Sequence, residues 1–338
     1  MKTLLGLVTA ALTAGAALAA DPAALLMRSG RMSAAALLAA PPLDPSHPAW
    51  SKAAPTLLLA YPQQMIAPGL ENGAPIPVEM RALASRTHLA VKLTWPDQTR
   101  DQYRTDATDT FPDAVAVQFT RLEQSLPYIG MGEKDRPVSM WFWRHGRKPE
   151  FLVARGFGTL GPGRGRAPQA RSVWHEGRWS VVLLGSLPVE RNPLPLAIAI
   201  WDGRAQARDG RKHLSAWHLL RLPDRTQHRR ALTALLGEAV ATGDRGRGRS
   251  LVEEHGCAGC HRLPGGEVVD HGPDLSFAGG VHWPGYLRRS IANPSGFIVP
   301  LERYRDSAGH DRELSLMPKA NLRNRDVDDL VAYLASLR

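Results

Sequence analysis

Between His88 and Trp95 apolar and polar positions alternate. Leu89, Val91, Leu93 and Trp95 fall on one face, and His88, Ala90, Lys92 and Thr94 on the other. A period of two is the pattern of a strand with one face in a core. It recurs over residues 56–61, 78–83, 114–119, 138–144, 179–184, 196–201 and 215–222, with proline, glycine and aspartate clusters between. Residues 172–174 and 179–184, joined through Glu176-Gly177, predict a hairpin. Many short strands with few helical stretches predict an all-β antiparallel sandwich over residues 46–223.

Past Pro223 the apolar spacing becomes helical. Residues 224–242, with a basic stretch at 225–230, predict a linker helix, and residues 243–338 a small all-α domain, so the fold class is α+β and multidomain. A short helix over 244–255 leads to Cys257. Asn324 is placed to cap a closing helix whose Val327, Leu330, Val331 and Leu334 form one apolar stripe. The roughly 60 residues between these helices are rich in proline and glycine and offer too little side-chain core to stand alone. Something large and flat is needed to fill them.

At the other end, Lys2 precedes an apolar run to Ala17, and Ala17-Leu18-Ala19 places small residues at a signal-peptidase site. Residues 1–19 therefore read as a signal peptide, since the run is shorter than the roughly 20 residues of a spanning helix. Residues 20–45, ending beyond Pro41-Pro42, predict a short helical arm. No twin arginine precedes the run, and no later stretch is long and apolar enough to span a bilayer. The expected product is periplasmic, exported unfolded by the general secretory route, with no transmembrane segment after cleavage.

Composition narrows the picture further. With 43% hydrophobic and 22% charged residues, the 338-residue chain is neither disordered, collagen-like nor a coiled coil. Its net charge of +10 favours an acidic or phosphate-rich partner surface, or an anionic membrane face, without choosing among them. The only cysteines are Cys257 and Cys260, followed at once by His261. Cys257-Ala258-Gly259-Cys260-His261 is the attachment pattern of c-type haem: one turn sets two thiols against two vinyl groups and brings the histidine under the iron. A zinc site would need a second Cys/His pair, and a thioredoxin-like motif a βαβ context; neither is present.

Residues 243–338 resemble class I cytochrome c. The resemblance makes Cys257 and Cys260 the covalent anchors, His261 the proximal ligand, the 272–275 segment its brace and Met317, in Leu316-Met317-Pro318, the distal ligand. His282 and His310 compete as sixth ligands but read as surface histidines, and Met317 itself could be core packing.

A second resemblance lies upstream. Ala60-Tyr61-Pro62-Gln63, the 93–99 segment LTWPDQT, the 111–119 segment FPDAVAVQF, Met131-Gly132, Trp141-Phe142-Trp143-Arg144 and Trp201-Asp202-Gly203 occur in that order. Together they resemble the haem b-binding gamma subunit of the ethylbenzene dehydrogenase and dimethylsulfide dehydrogenase type. That resemblance implies a non-covalent haem b held between Met131 and Lys212, in a sandwich docked on an iron–sulfur subunit of a molybdopterin enzyme. Met140 and Met65 are alternatives to Met131. His213 is an alternative to Lys212, although adjacent residues of a strand face opposite ways. Arg144 and Arg211 are candidates for the haem b propionates.

The implied role is electron transfer, with catalysis in a partner subunit and a soluble or membrane-associated carrier beyond. The competing reading is a monohaem cytochrome c fused to a β-sandwich binding module without haem b. Two further signals are discounted. Residues 156–161 match GxGxxG but open no helix, and the arginines at 245, 247 and 249 suit a docking face better than nucleic acid.

Overall fold

The computed structural model describes residues 32–66, 68–70, 73–187, 192–223, 225–269, 271–301 and 304–338. The predicted signal peptide and the start of the arm lie outside them. The described part of the arm is extended, not helical: β1 (Ala35–Ala36) pairs in parallel with β3 (Ile76–Ala84). A 3₁₀ turn at Pro48–Lys52 then buries Trp50. Lys92 Nζ donates to the Pro45 carbonyl at 2.7 Å, so the polar face of its strand is covered by the arm.

A large antiparallel β domain is followed by a small helical one. The first half of the sandwich holds β2 (Thr56–Pro62), β3, β4 (His88–Pro96), β10 (Arg178–Ser186) and β9 (Gln169–His175), in that spatial order. The second holds β8 (Gly161–Pro162), β7 (Glu150–Ala154), β6 (Val138–Arg144), β5 (Ala114–Phe119), β11 (Leu194–Trp201) and β12 (His213–Leu214). β12 meets β2 at Tyr61 and Pro62, which joins the halves at a corner. Leu89, Val91, Leu93 and Trp95 face Val115, Val117, Phe119, Leu196 and Ile198 across one core. Phe119 and Trp141 meet edge-on at 4.9 Å, a geometry adding about 0.5–1.5 kcal/mol beyond area burial. The 176–177 turn joins β9 to β10, with both residues at positive φ, as a tight hairpin requires.

Sequence alternation failed at two places. Of the stretch 215–222 only His218–Leu220 (β13) forms a strand, and β12 ends just before it at Leu214; between the two, the Ser215 hydroxyl accepts from the Ile198 amide (3.0 Å). Strand β7 is half-buried throughout most of its length and carries no clean alternation.

Five helices follow among the described residues. They are α1 (Arg229–Glu238), α2 (Arg245–Glu254), the short α3 (Ala278–Val281), α4 (Pro284–Ala292) and α5 (Asn324–Leu334). Asp244 caps α2 through the Arg247 amide. Asn324 is not the cap of α5 but its first residue; Asp326 accepts from the Arg323 amide in its place. The stripe Val327, Leu330, Val331 and Leu334 packs on Leu251, Val252 and Leu287. Helix α4 lies in the stretch read as loop, where Pro284 is a helix-starting proline and not a breaker. No helix among the described residues is long and apolar enough to cross a membrane.

One buried carboxylate ties three segments together. Asp113 accepts from the Asp101 amide (2.7 Å), the Trp179 indole (3.0 Å) and the Gly203 amide (2.9 Å). Its carboxylate lies within 4.8 Å of those of Asp97 and Asp202. Burial, helped by Asp113, raises the Asp97 pKa to about 7. The folded chain then keeps a proton on Asp97 from pH 4 to 7 that the unfolded chain has lost, so this group's contribution falls as pH rises. Buried His218 and His282, lowered to about 4 and 3, act in the opposite sense below pH 6.5. A difference measurement isolates the aspartate. Asp97→Asn should gain stability relative to wild type between pH 5 and 8, by up to about 1.4 kcal/mol per pH unit. Denaturation midpoints compared at both pH values check this, and a constant difference contradicts it.

Candidate functional site

The second half of the sandwich is also buried on its outer face, and the register shows what lies there. Trp201 pairs Ala114, which pairs Arg144; Ala199 pairs Ala116, which pairs Phe142; Ala197 pairs Gln118, which pairs Met140. Alanines 114, 116, 197 and 199 thus form a floor of small side chains, edged by half-buried Phe142, Trp201 and Leu152. A flat apolar macrocycle suits such a surface.

Strand β12 extends the floor. Leu214 pairs Ala199 and His213 pairs Ile200, so Lys212 falls on the alanine side and His213 on the other. Lys212 Nζ lies 5.2 Å from the Trp201 ring centre, whereas the His213 ring meets the Ala74 carbonyl at 3.0 Å. Burial, opposed only by Asp209, draws the Lys212 pKa down to about 8. A larger share of the amine is therefore neutral, the only form that can donate to a metal. The bend carrying Lys212 is fixed by Gln63: its amide N–H donates to the Lys212 carbonyl (2.8 Å) and its side chain to the Gly210 carbonyl (2.9 Å).

Met131 reaches the same apolar cluster from the loop between β5 and β6. Its φ of 74° is left-handed, a conformation a side chain rarely adopts without being held there. Gln118 on the floor donates to the Ile129 carbonyl at 3.0 Å, and the Gly156 amide donates to the Met131 carbonyl at 3.0 Å. The glycine-rich stretch at 156–161 therefore braces the Met131 loop. Met140 and Met65 are buried in the same cluster, Met140 within its strand and Met65 3.8 Å from the Tyr128 hydroxyl. Arg144 lies 5.1 Å over Phe142 and pairs with Glu150, while Arg211 is exposed. The Met131 thioether, the Lys212 amine and the small-residue floor border one apolar cluster, a donor set and surface that fit a haem.

In the helical domain, Gly256 turns the chain at φ 63° after α2 and begins the 3₁₀ turn Cys257–Gly259. The His261 amide closes on the Cys257 carbonyl at 3.0 Å, which sets both thiols and the imidazole on one turn. His261 Nδ1 lies 2.9 Å from the Pro273 carbonyl. A carbonyl only accepts, so Nδ1 carries the proton and Nε2 keeps its lone pair for a metal. Burial lowers the His261 pKa and favours this neutral ring. A Cβ on Gly272 would sit 2.7 Å from that ring, so the brace tolerates only glycine there. Met317 is half-buried before α5, with its amide on the Ser315 hydroxyl. The donor set and the half-buried Leu263, Leu275 and Leu322 nearby fit a covalent haem. His310 is exposed as expected, but His282 is buried, stacked on Tyr286 at 4.4 Å.

Sequence reading passed over Gln63, Gln118 and Asp113 as individual residues. Each is a polar residue within or bordering an apolar strand, the one signal that marks a buried hydrogen-bonding role.

Fold and site together define the class: a β-sandwich followed by a cytochrome c domain. Residues 47–168 match the family model described as ethylbenzene dehydrogenase, and residues 246–338 the one described as cytochrome c. The chain is 33% identical over 193 residues to the chlorate reductase subunit gamma of Ideonella dechloratans, spanning 53% of this chain and 79% of that one. It is 30% identical over 151 residues to the dimethylsulfide dehydrogenase subunit gamma of Rhodovulum sulfidophilum, spanning 40% of this chain and 56% of that one. The chain belongs to this gamma-subunit family and carries a cytochrome c domain in addition.

The Gly272 contact gives a direct test. Gly272→Ala should displace the His261 ring and weaken its hold on iron while the thioether bonds still form. The expected result is a covalent haem with a partly high-spin spectrum; an unchanged low-spin spectrum counts against the contact.

Proposed function

We propose that this chain is a periplasmic dihaem electron-transfer subunit of gamma type in a molybdopterin oxidoreductase complex. It relays electrons between an iron–sulfur subunit and an external carrier, soluble or membrane-associated. The observation that carries the reading is the apolar cluster bordered by Met131, Lys212 and the alanine floor, in a chain whose second domain bears the CAGCH turn.

Each residue has a separable task. Cys257 and Cys260 would hold haem c covalently, with His261 and Met317 as donors to its iron. Met131 and Lys212 would be the donors to the iron of haem b. Arg144 is the better-placed propionate partner, its charge shared with Glu150, and exposed Arg211 is the second. Bound haem would supply one-electron redox chemistry, and a Met/His or Met/Lys donor pair would suit electron transfer in place of substrate binding. The substrate reaction belongs to a partner subunit. Gln63 and Gln118 hold the ligand segments, and burial of Lys212 lowers the cost of its neutral form. The signal-peptide pattern of residues 1–19 supports export, and the +10 charge favours an acidic partner surface.

Pyridine haemochrome analysis before and after acid–acetone extraction tests the assignment. Wild type should hold one extractable and one covalent haem per chain. Met131→Ala and Lys212→Ala should each lose or spectrally alter the extractable haem and keep the covalent one. One covalent haem alone in wild type would support the binding-module reading instead. Replacing Cys257 and Cys260 together by serine should abolish covalent haem and unfold the helical domain.

A further inference from the structure

Residues 224–242 read in the sequence as a linker helix, and the cytochrome c domain beyond it is seated on the β domain by buried, directional contacts. The Trp283 indole, just before α4, donates to the Trp217 carbonyl at 2.8 Å. The Trp217 indole in turn donates to the Pro127 carbonyl at 3.0 Å. Both tryptophans are buried. Trp217 follows Lys212 by five residues, and Pro127 precedes Met131 by four within the loop between β5 and β6. One relay of two hydrogen bonds thus connects the helical domain to both ligand-bearing segments of the other domain.

A ring cluster lies alongside the relay. Tyr128, buried next to Pro127, has His282 at 5.8 Å, Tyr286 at 5.5 Å and Phe297 at 5.5 Å, all three from the helical domain. The approach is close: a Cβ on Gly280 of α3 would fall 2.6 Å from the Tyr61 ring of β2. Buried indole bonds and interlocked rings do not suit a domain that swings on a linker.

We propose that Trp283 and the Tyr128 ring cluster clamp the cytochrome c domain onto the Met131 and Lys212 segments, so that residues of one domain position the haem b ligands of the other. This rests on the dihaem reading above. Trp283 is a positioning residue. It holds Trp217 and Pro127 in place, and it fixes the spacing between the two haem sites.

The test uses the full-length holoprotein and Trp283→Phe, which keeps a ring but loses the indole N–H. Haem b transfer to excess apomyoglobin should accelerate about tenfold, the factor expected for one buried hydrogen bond. The covalent haem spectrum should stay unchanged, and amide exchange across residues 284–292 should quicken. If Trp283→Phe does not fold, Phe297→Leu, which removes one ring and no hydrogen bond, is read in the same way. A haem b loss rate within about twofold of wild type overturns the proposal, even with a lowered melting temperature, because Trp283 would then only stabilise. If wild type lacks extractable haem, the dihaem reading fails. Amide exchange, which needs no haem b, then decides whether the clamp exists, and exchange unchanged in the variant overturns it.

Discussion

A strand has two faces, and in β5, β6 and β11 both are committed. The inner face supplies Val115, Val117, Trp141 and Ile198 to the sandwich core. The outer face lays alanines side by side at 114, 116, 197 and 199 beneath half-buried aromatics. Solvated outer faces of antiparallel sheets are normally polar. Here the apolar outer face must be covered, and the Met131 loop, the Lys212 bend and the helical domain all converge on it. The position of every proposed haem b ligand follows from that requirement.

Buried polar side chains hold those segments in register. Gln63 and Gln118 each bond to the backbone of the segment they secure, and Asp113 collects three donors from three distant stretches. Losing one such partner leaves buried groups unsatisfied at about 1–3 kcal/mol each, a large part of a domain's net stability. The same groups leave Met131 at a positive φ with little freedom to relax.

Two different strategies place the proposed ligands in the two domains. The cytochrome c turn is local: Cys257, Cys260 and His261 are set by one 3₁₀ turn, and Pro273 orients the imidazole from twelve residues away. The β-domain pair is non-local, Met131 and Lys212 being 81 residues apart in the chain. Strand register and side-chain pins set the two segments against one apolar cluster. A local site survives rearrangement elsewhere, whereas a non-local one depends on whatever packs against its supports, including the neighbouring domain.

That difference explains how much was legible beforehand. Period-two alternation located most strands within two residues, and the CAGCH spacing marked the covalent site, because both depend on chain geometry over a few residues. The strand read over 215–222 was too long, since whether a serine interrupts a strand is settled by partners such as Ile198. Sequence left Lys212 and His213 open as alternatives; pairing of β12 with β11 turned Lys212 to the alanine side. It gave no sign that His282 is buried or that Trp283 reaches Trp217. Such contacts join residues far apart in the chain, and only the packed fold sets the distances between them.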